Sequence, residues 1–277
     1  MKKNSFENYT LCISIAQKRG MFGTVIHNAG FKALKLNFVY KAFAISDLEG
    51  AINGVRALGI RGCSVSMPYK EKAIRYLDSL HPLAKRARAV NTIVNTDGHL
   101  TGYNTDILGV EECLKKFKNN KEQRILVLGA GGMARATLVA LDNLKFKNIQ
   151  LTNRTSKKGK KLLEEFDFEF IPWSQKENIK TDIIINATPI GMHPNVSQTP
   201  ISSSSIKNSK IIVDVITNPP ESKLIKLAKK NKKITITGLN LAFHQALGQF
   251  ILYTVKNPPI KKMQNAINEF YKWYSCQ

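Results

Sequence analysis

Val127-Leu128-Gly129-Ala130-Gly131-Gly132-Met133-Ala134 reads as a strand, a glycine turn and the start of a helix. Arg124 to Leu128 is the near-continuous apolar run of a strand buried on both faces. Ala134 to Leu144 has the small and apolar spacing of a helix packed on a sheet. Gly129 and Gly131 permit a tight turn and close backbone approach to a pyrophosphate, and Ala134 keeps the helix near the strand. Ala130, Gly132 and Met133 complete a turn whose N–H groups face the phosphates. Glycine turns occur throughout α/β proteins, but the strand before this one and the helix after it point to a dinucleotide site. One βα unit later comes Asn153-Arg154-Thr155, at the end of the apolar strand Ile149-Gln150-Leu151. A site for NAD usually carries an acid there, to hold the ribose 2′-hydroxyl. Asn153, Arg154 and Thr155, with Lys157 and Lys158 beyond, offer cationic and neutral donors. These suit a 2′-phosphate and point to NADP. Taken alone, Arg154 also fits a solvated surface arginine.

Outward from this motif the pattern alternates. Arg124–Leu128, Ile149–Thr152, Asp182–Ala187, Lys210–Val215 and Lys233–Thr237 read as strands with helices between several of them. A serine-rich loop, Ser202 to Ser205, precedes one strand. This predicts a doubly wound Rossmann domain over residues 106–238. Upstream, Thr10–Ile15, Phe38–Ile45 and Gly62–Ser66 read as strands, and Thr24–Leu34 as a helix. Asp47 caps a helix to about Leu58, and Pro68 starts one through Leu80 at its first turn. Ala89–Asn95 and His99–Tyr103 flank the hairpin signal Asp97-Gly98. After Gly238, helical patterns run from Asn240 to Val255 and from Ile260 to Tyr274, separated by Asn257-Pro258-Pro259. With no strand to follow, they are expected to return to the first domain. The expected fold class is therefore α/β. A mixed substrate domain (residues 1–105 plus 239–277) accompanies the nucleotide domain, with a cleft between them.

The chain has 277 residues, ample for a core, and 43% of them are hydrophobic. No apolar run approaches the ~20 residues that span a bilayer. The N-terminal Met1-Lys2-Lys3-Asn4-Ser5-Phe6-Glu7-Asn8-Tyr9 has no apolar core segment, so a signal peptide is not expected. Cys12, Cys63, Cys113 and Cys276 are far apart and form no C-x-x-C pair, as expected of small buried hydrophobes in a reducing cytoplasm. The net charge of +22 comes from dispersed, lysine-rich composition, densest at Lys157–Lys161 and Lys229–Lys233. No basic stretch interleaves aromatics as a nucleic-acid stacking platform would. A solvated surface that attracts anionic small molecules is expected, with no nucleic-acid or membrane partner. The expected assembly is a monomer or a homodimer.

Three segments gather polar groups at element ends. In Ser64-Val65-Ser66-Met67-Pro68-Tyr69-Lys70, Lys70 falls on a predicted first helical turn, where the dipole disfavours a cation. That hints at a paired lysine, although a lone lysine is usually solvated. Val90-Asn91-Thr92-Ile93 puts polar groups inside an apolar strand. In Tyr103-Asn104-Thr105-Asp106, Asp106 taken alone reads as an N-cap for the following helix. Facing one cleft, Lys70 and Asp106 would make an acid/base couple. The five histidines show no metal-ligand spacing, no acidic cluster suggests a metal, and there is no G-x-S-x-G nucleophile elbow.

In order and spacing, these pieces resemble the shikimate dehydrogenase family from about Thr10 to Gln249. They are Ile26-His27-Asn28, Val65 to Lys70, Val90-Asn91-Thr92, Asn104-Thr105-Asp106, the glycine run from Gly129 through Arg135-Ala136 and Asn153-Arg154-Thr155. Asn186-Ala187-Thr188-Pro189-Ile190-Gly191-Met192 and Gln245-Ala246 complete the set. The resemblance implies NADP-dependent, reversible reduction of 3-dehydroshikimate to shikimate on the route to aromatic amino acids. It implies Lys70 and Asp106 as the catalytic pair, and Ser66, Asn91 and Gln245 as holders of ring hydroxyls. Thr188 and Met192 would lie near the nicotinamide, with Gly238 counted among the cofactor residues.

Two departures stand out. The family carries Ser-x-Ser-Pro before the His-Asn and binds the substrate carboxylate with those serines; here the chain reads Met21-Phe22-Gly23-Thr24. Losing two hydrogen bonds to a carboxylate costs about 3–6 kcal/mol unless they are replaced. Thr217 also stands where the family often has a tyrosine that reaches the substrate. Gln17-Lys18-Arg19-Gly20 offers a cationic replacement or a different pocket. The pattern is similar to the shikimate dehydrogenase-like subgroup, whose carboxylate site is altered. The alternative substrate is therefore another cyclic polyol acid, such as quinate or an aminoshikimate.

Overall fold

The computed structural model describes residues 9–120 and 122–275; the expectations about the N-terminal eight residues and Cys276 lie outside the described residues. The chain divides into two compact units. One runs up to Thr105 and takes in the chain from Gln245 onward, and the other is Asp106–His244.

The first unit begins with β1 (Thr10–Ala16), α1 (Phe22–Ala33), β2 (Phe38–Ala44), α2 (Leu48–Ala57) and β3 (Gly62–Val65). It continues with β4 (Ser79–Leu80), α3 (Pro82–Ala87), β5 (Thr92–Thr96) and β6 (His99–Tyr103). Apart from Thr105, its first residue, α4 (Thr105–Leu114) lies in the second unit, which continues with β7 (Ile125–Leu128), α5 (Gly132–Asn143), β8 (Ile149–Asn153), α6 (Ser156–Leu163) and β9 (Glu169–Pro172). Then come β10 (Ile183–Asn186), α7 (Ser203–Asn208), β11 (Ile211–Asp214), α8 (Lys223–Lys230) and β12 (Ile234–Ile236). Helix α9 (Gly238–Thr254) starts in the second unit and finishes in the first, which also holds α10 (Ile260–Ser275).

The first unit's sheet has the order β2-β1-β3-β5-β6-β4. Strands β1, β2 and β3 pair in parallel, while β3–β5 and β5–β6 are antiparallel. Asp47 caps α2 as its position predicts, accepting from the Gly50 N–H at 3.0 Å. Asp97 and Gly98 both take positive φ (51° and 87°), as a two-residue hairpin turn requires. Helix α1 lies so close to the C-terminal helices that a Cβ at Gly30 would meet Phe250 and Met263. Those helices therefore pack on the first unit's α1.

The second unit's sheet is wholly parallel, in the order β12-β11-β10-β7-β8-β9. That is the doubly wound dinucleotide topology, and the direction of winding reverses between β7 and β10. Strands β7, β10 and β11 are buried at every residue, which explains the apolar runs that lead up to Leu128, Asn186 and Asp214.

Three local expectations need correction. Pro68 does not open an α-helix through Leu80. Residues 72–76 form only a 3₁₀ segment, and Ser79–Leu80 is a short strand. The carbonyl of Lys70 accepts from the Val90 N–H (2.9 Å) and is thus committed to tertiary pairing, while Ile74 N–H turns to Glu71. Pro82 is the proline at a helix start, behind a His81 ring that accepts from Leu83 N–H. Ser202–Ser205 is not a loop. Ser202 caps α7, and the Glu177 carboxylate accepts from Ser202 and Ser205. Strand β9 escaped the sequence pattern because it has four residues, sits at the sheet edge and ends in proline.

Gly62 lies against the Tyr253 ring, so a Cβ there would come within 2.3–2.7 Å of it. Gly62→Ala is expected to destabilise the chain by about 1–3 kcal/mol through overpacking, read as a lower denaturation midpoint at unchanged slope.

Candidate functional site

In the second unit, the sites anticipated from sequence gather at the carboxyl ends of the strands, the end where ligands bind in this topology. A Cβ at Gly129 (φ +112°) would come within 2.9 Å of the Ala187 carbonyl oxygen and 3.1 Å of Thr188 Cγ2. The protein's own backbone therefore demands glycine there. A Cβ at Gly131 or Gly132 would meet no atom within 4 Å. Their demand for glycine does not come from the fold, which leaves the space above the turn for an approaching group. Gly131 is the N-cap of α5, with no capping side chain and no acid in the first turn. The free N–H groups and dipole of α5 thus favour an anion. Ala130 and Met133 are half-buried on the same turn, and Ala134 is fully buried against the sheet.

At the end of β8, Asn153 donates to the Thr155 carbonyl (2.9 Å) and shapes the turn that exposes Arg154 and Thr155. Thr155 is the N-cap of α6, again without a side-chain cap or a first-turn acid. An exposed guanidinium beside a second uncapped helix start forms an electropositive corner suited to a phosphate. The glycine cradle, the two open helix starts and Arg154 fit an NADP-sized polyanion.

The loop after β10 forms the other wall of this crevice. Thr188 is held by Asn186, whose Oδ1 accepts from Thr188 N (3.0 Å) and Oγ1 (2.6 Å). Met192 is half-buried next to Gly191, which takes φ +97°. Gly238, at the start of α9, presses on the Ile216 carbonyl, so it serves the close packing of backbone behind this wall. Asp214 is fully buried and accepts from Ser222 Oγ, Asn186 Nδ2 (3.0 Å) and Ile216 N–H (3.2 Å). Burial without a cation raises its carboxyl from 3.8 to about 6. The folded chain thus binds this proton more readily than the unfolded one. The group's contribution to stability falls as pH rises from about 4 through 6. A groove of about 770 Å³ lies at the opposite ends of the strands. Within it Asn148 pairs with Glu122 and Gln150 with Glu169.

In the first unit, Asn91 is 2% exposed and stands at the start of β5. Its Oδ1 accepts from Thr105 N–H (2.7 Å) and Thr92 Oγ (2.8 Å). Its Nδ2 reaches Thr105 Oγ1 (3.0 Å) and Gln245 Oε1 (3.1 Å). Asn91 and Gln245, 154 residues apart, are therefore directly bonded. One helical turn on, Gln249 donates to Ser64 Oγ (3.0 Å) and Thr92 Oγ1 (2.9 Å) and accepts from His27 Nε2 (3.3 Å). Gln249 and Thr105 were not singled out as site residues. The i, i+4 spacing of the two glutamines on α9 was the available signal. Ser66 is exposed just past β3, and Lys70 is half-buried in the turn that follows, with its carbonyl bonded to Val90. Lys70 does not occupy a first α-helical turn, so the dipole argument for it lapses. Asp106 is not an N-cap: α4 begins at Thr105, and Asp106 lies within its first turn.

The Ile26-His27-Asn28 signature is architectural in this unit. Asn28 exchanges two hydrogen bonds with the Tyr40 backbone (2.8 and 3.0 Å), which pins α1 to β2. His27 is fully buried, stacked on Tyr40 at 4.6 Å, and burial lowers its pKa to about 4, leaving it neutral. Cys12, Cys63 and Cys113 are buried, and burial raises each thiol, Cys12 and Cys113 to about 12. Among the described residues, no group of side chains is arranged to hold a metal, and no helix is long and apolar enough to cross a membrane.

A doubly wound dinucleotide-type unit and a mixed α/β unit in one chain define a class of two-part nucleotide-dependent proteins. Residues 22–93 match the shikimate dehydrogenase substrate binding domain, and residues 111–240 match the shikimate / quinate 5-dehydrogenase domain. The chain belongs to the shikimate dehydrogenase family. It is 40% identical over 250 residues to the shikimate dehydrogenase-like protein of Haemophilus influenzae, covering 90% of this chain and 92% of that one. Its structure is similar to a shikimate dehydrogenase in complex with NADP+ (TM-score 0.81, 34% identity, 94% of this chain and 95% of the other). It is also similar to quinate dehydrogenase from Corynebacterium glutamicum in complex with NAD (TM-score 0.85, 26% identity, 94% and 98%).

The two glycines give opposed expectations. Gly129→Ala is expected to destabilise the fold by about 1–3 kcal/mol, because it strains a positive-φ position against a backbone carbonyl. Gly131→Ala is expected to change stability by less than about 1 kcal/mol. It would weaken binding of NADP+, and thermal melts with and without NADP+ separate the two effects.

Proposed function

We propose that this chain is an NADP-dependent dehydrogenase that interconverts 3-dehydroshikimate and shikimate. The second unit binds the cofactor, and the first unit binds the substrate. The observation that carries the cofactor half is the glycine turn with its two uncapped helix starts and Arg154 in the place of an acid. The substrate half rests on the part-buried Asn91–Gln245 bond, which presents two amides from distant parts of the chain side by side. NADPH, when bound, supplies the hydride.

The roles of the chain's own residues follow from their chemistry. Lys70 Nζ donates a proton to the substrate's carbonyl oxygen as it becomes a hydroxyl, and takes it back in the reverse direction. The Asp106 carboxylate accepts a hydrogen bond from the substrate's hydroxyl. Ser66, Asn91 and Gln245 hold ring hydroxyls. Asn91 reaches this task already oriented, because Thr92 and Thr105 fix its amide. Arg154, Asn153 and Thr155 would take the 2′-phosphate, the turn from Gly129 to Ala134 would take the pyrophosphate, and Thr188 and Met192 would flank the nicotinamide, with Gly238 packed behind them.

A second reading keeps the reaction and changes the substrate to another cyclic polyol acid, such as quinate or an aminoshikimate. The observation in its favour is Gly23. A Cβ there would come within 2.9 Å of the Tyr40 ring and hydroxyl, so this position carries no side-chain donor for a carboxylate. Tyr40 itself is turned to Ser14 and Ser64.

The deciding assay is steady-state reduction of NADP+ by the purified chain with shikimate, run beside quinate. The expected kcat/KM for shikimate is on the order of 10⁴ M⁻¹s⁻¹ or above. A strong preference for quinate would favour the second reading, and turnover of neither acid by a chain that binds NADP+ tightly would overturn the shikimate reading and leave the second to other cyclic acids. Lys70→Ala is expected to lower kcat at least ~100-fold while NADP+ affinity changes less than about threefold; unimpaired turnover would remove Lys70 from the chemistry. Arg154→Ala is expected to weaken NADP+ about tenfold or more, from loss of a charge-assisted bond worth roughly 1.5–3 kcal/mol, with little effect on NAD+. Equal weakening of the two cofactors in titrations would deny it that role.

A further inference from the structure

Two loops of the second unit meet behind the proposed nicotinamide wall, and a single buried carboxylate joins them. Asp214 ends β11, and Asn186 ends the neighbouring β10. Asp214 Oδ1 accepts from Asn186 Nδ2 (3.0 Å) and from the Ile216 N–H (3.2 Å), while Oδ2 accepts from Ser222 Oγ at the start of α8. Asn186 is thereby held in one amide orientation. Its nitrogen also donates to the Ile190 carbonyl (3.3 Å), and its oxygen takes both donors of Thr188. Thr188 Oγ1 in turn accepts from Ile190 N–H (3.2 Å). The far side of this turn touches the glycine turn, since Ala187 O and Thr188 Cγ2 are the atoms that exclude a Cβ from Gly129. A continuous chain of bonds thus runs from α8 through Asp214, Asn186 and Thr188 to the edge of the crevice.

We infer that Asp214 is a positioning residue for cofactor binding: through Asn186 it fixes the Ala187–Thr188 turn against Gly129. This rests on the NADP reading above. The observations do not suggest a role in folding alone. Asp214 is 0% exposed, and its three partners are an amide, a hydroxyl and a backbone N–H, none of them a cation. A buried charge without a counter-ion is a poor source of stability. What the carboxyl provides is an acceptor at Oδ1 that leaves Asn186 a single orientation. Asparagine at 214 keeps that acceptor and offers its amide to Ser222 Oγ, so the geometry predicts that it replaces aspartate. Alanine does not.

The experiment titrates the full chain with NADP+ and follows folding by thermal melts. Asp214→Ala is expected to raise the NADP+ Kd tenfold or more, and Asp214→Asn to stay within about threefold of the parent. A folded Asp214→Ala chain with parental affinity overturns the inference, as does loss of affinity in both variants alike. If the alanine variant does not fold, Asn186→Asp decides. It keeps the acceptor for Thr188 but sets a second carboxylate against Asp214. At pH 6 the pair shares a proton and NADP+ is held. By pH 8.5 repulsion displaces the turn, and affinity relative to the parent falls tenfold or more. A ratio that does not change with pH overturns the inference. Tight NADP+ binding by the parent in either failure leaves the cofactor reading standing, whereas a parent that does not bind NADP+ overturns both.

Discussion

The Ala187 carbonyl approaches Gly129 so closely that no side chain fits between them, and the ligand end of the second unit is organised around that approach. Strands β7 and β10 are paired neighbours at the point where the winding of the sheet reverses. Their outgoing loops part there and leave a crevice. The close approach fixes the spacing between the two loops at the mouth of the crevice. It also places the first turn of α5, with its open N–H groups, beside Thr188. Asn186 and Asp214 hold one wall, and the backbone of the glycine turn forms the other.

The first unit solves a related problem by different means. Its polar residues must be fixed inside an apolar core without being silenced. The two glutamines of α9 do this from one helix face. Gln249 is 1% exposed and takes up the polar groups of Ser64, Thr92 and His27, so they are not stranded in the core. Gln245 is only half-buried, one turn nearer the helix start, and bonds to Asn91. The gradient along a single helix, from a sealed amide to an accessible one, turns a structural network into a candidate binding surface. Gly62 and Gly30 let the helices that carry it lie against the sheet and α1.

Much of this was legible in the sequence, and for identifiable reasons. The glycine turn, Asn153-Arg154-Thr155 and Asp97-Gly98 act through backbone conformation and local charge, which neighbours in the chain settle. The Rossmann order follows from buried apolar runs alternating with helical patterns, because short connections leave few ways to wind a parallel sheet. Legibility failed where a distant partner competes for a local group. The stretch after Pro68 has a helical pattern, yet Val90 takes the Lys70 carbonyl and only a 3₁₀ segment forms. Ser202–Ser205 looks like a loop, and the Glu177 carboxylate, 25 residues away, helps make it a helix start.

The sequence by itself determined the fold class, the glycine-turn strand–helix unit and the family, because each is written in spacings within a few dozen residues. The tertiary structure alone decided which side chains share a bond. Asn91 with Gln245, His27 with Gln249 and Asn186 with Asp214 are bonds that no spacing announces, nor does any announce the close approach of Gly129 to Ala187. The physical reason is that local patterns fix which backbone shapes are cheap. Buried polar groups must find partners wherever the folded chain brings an acceptor within about 3 Å.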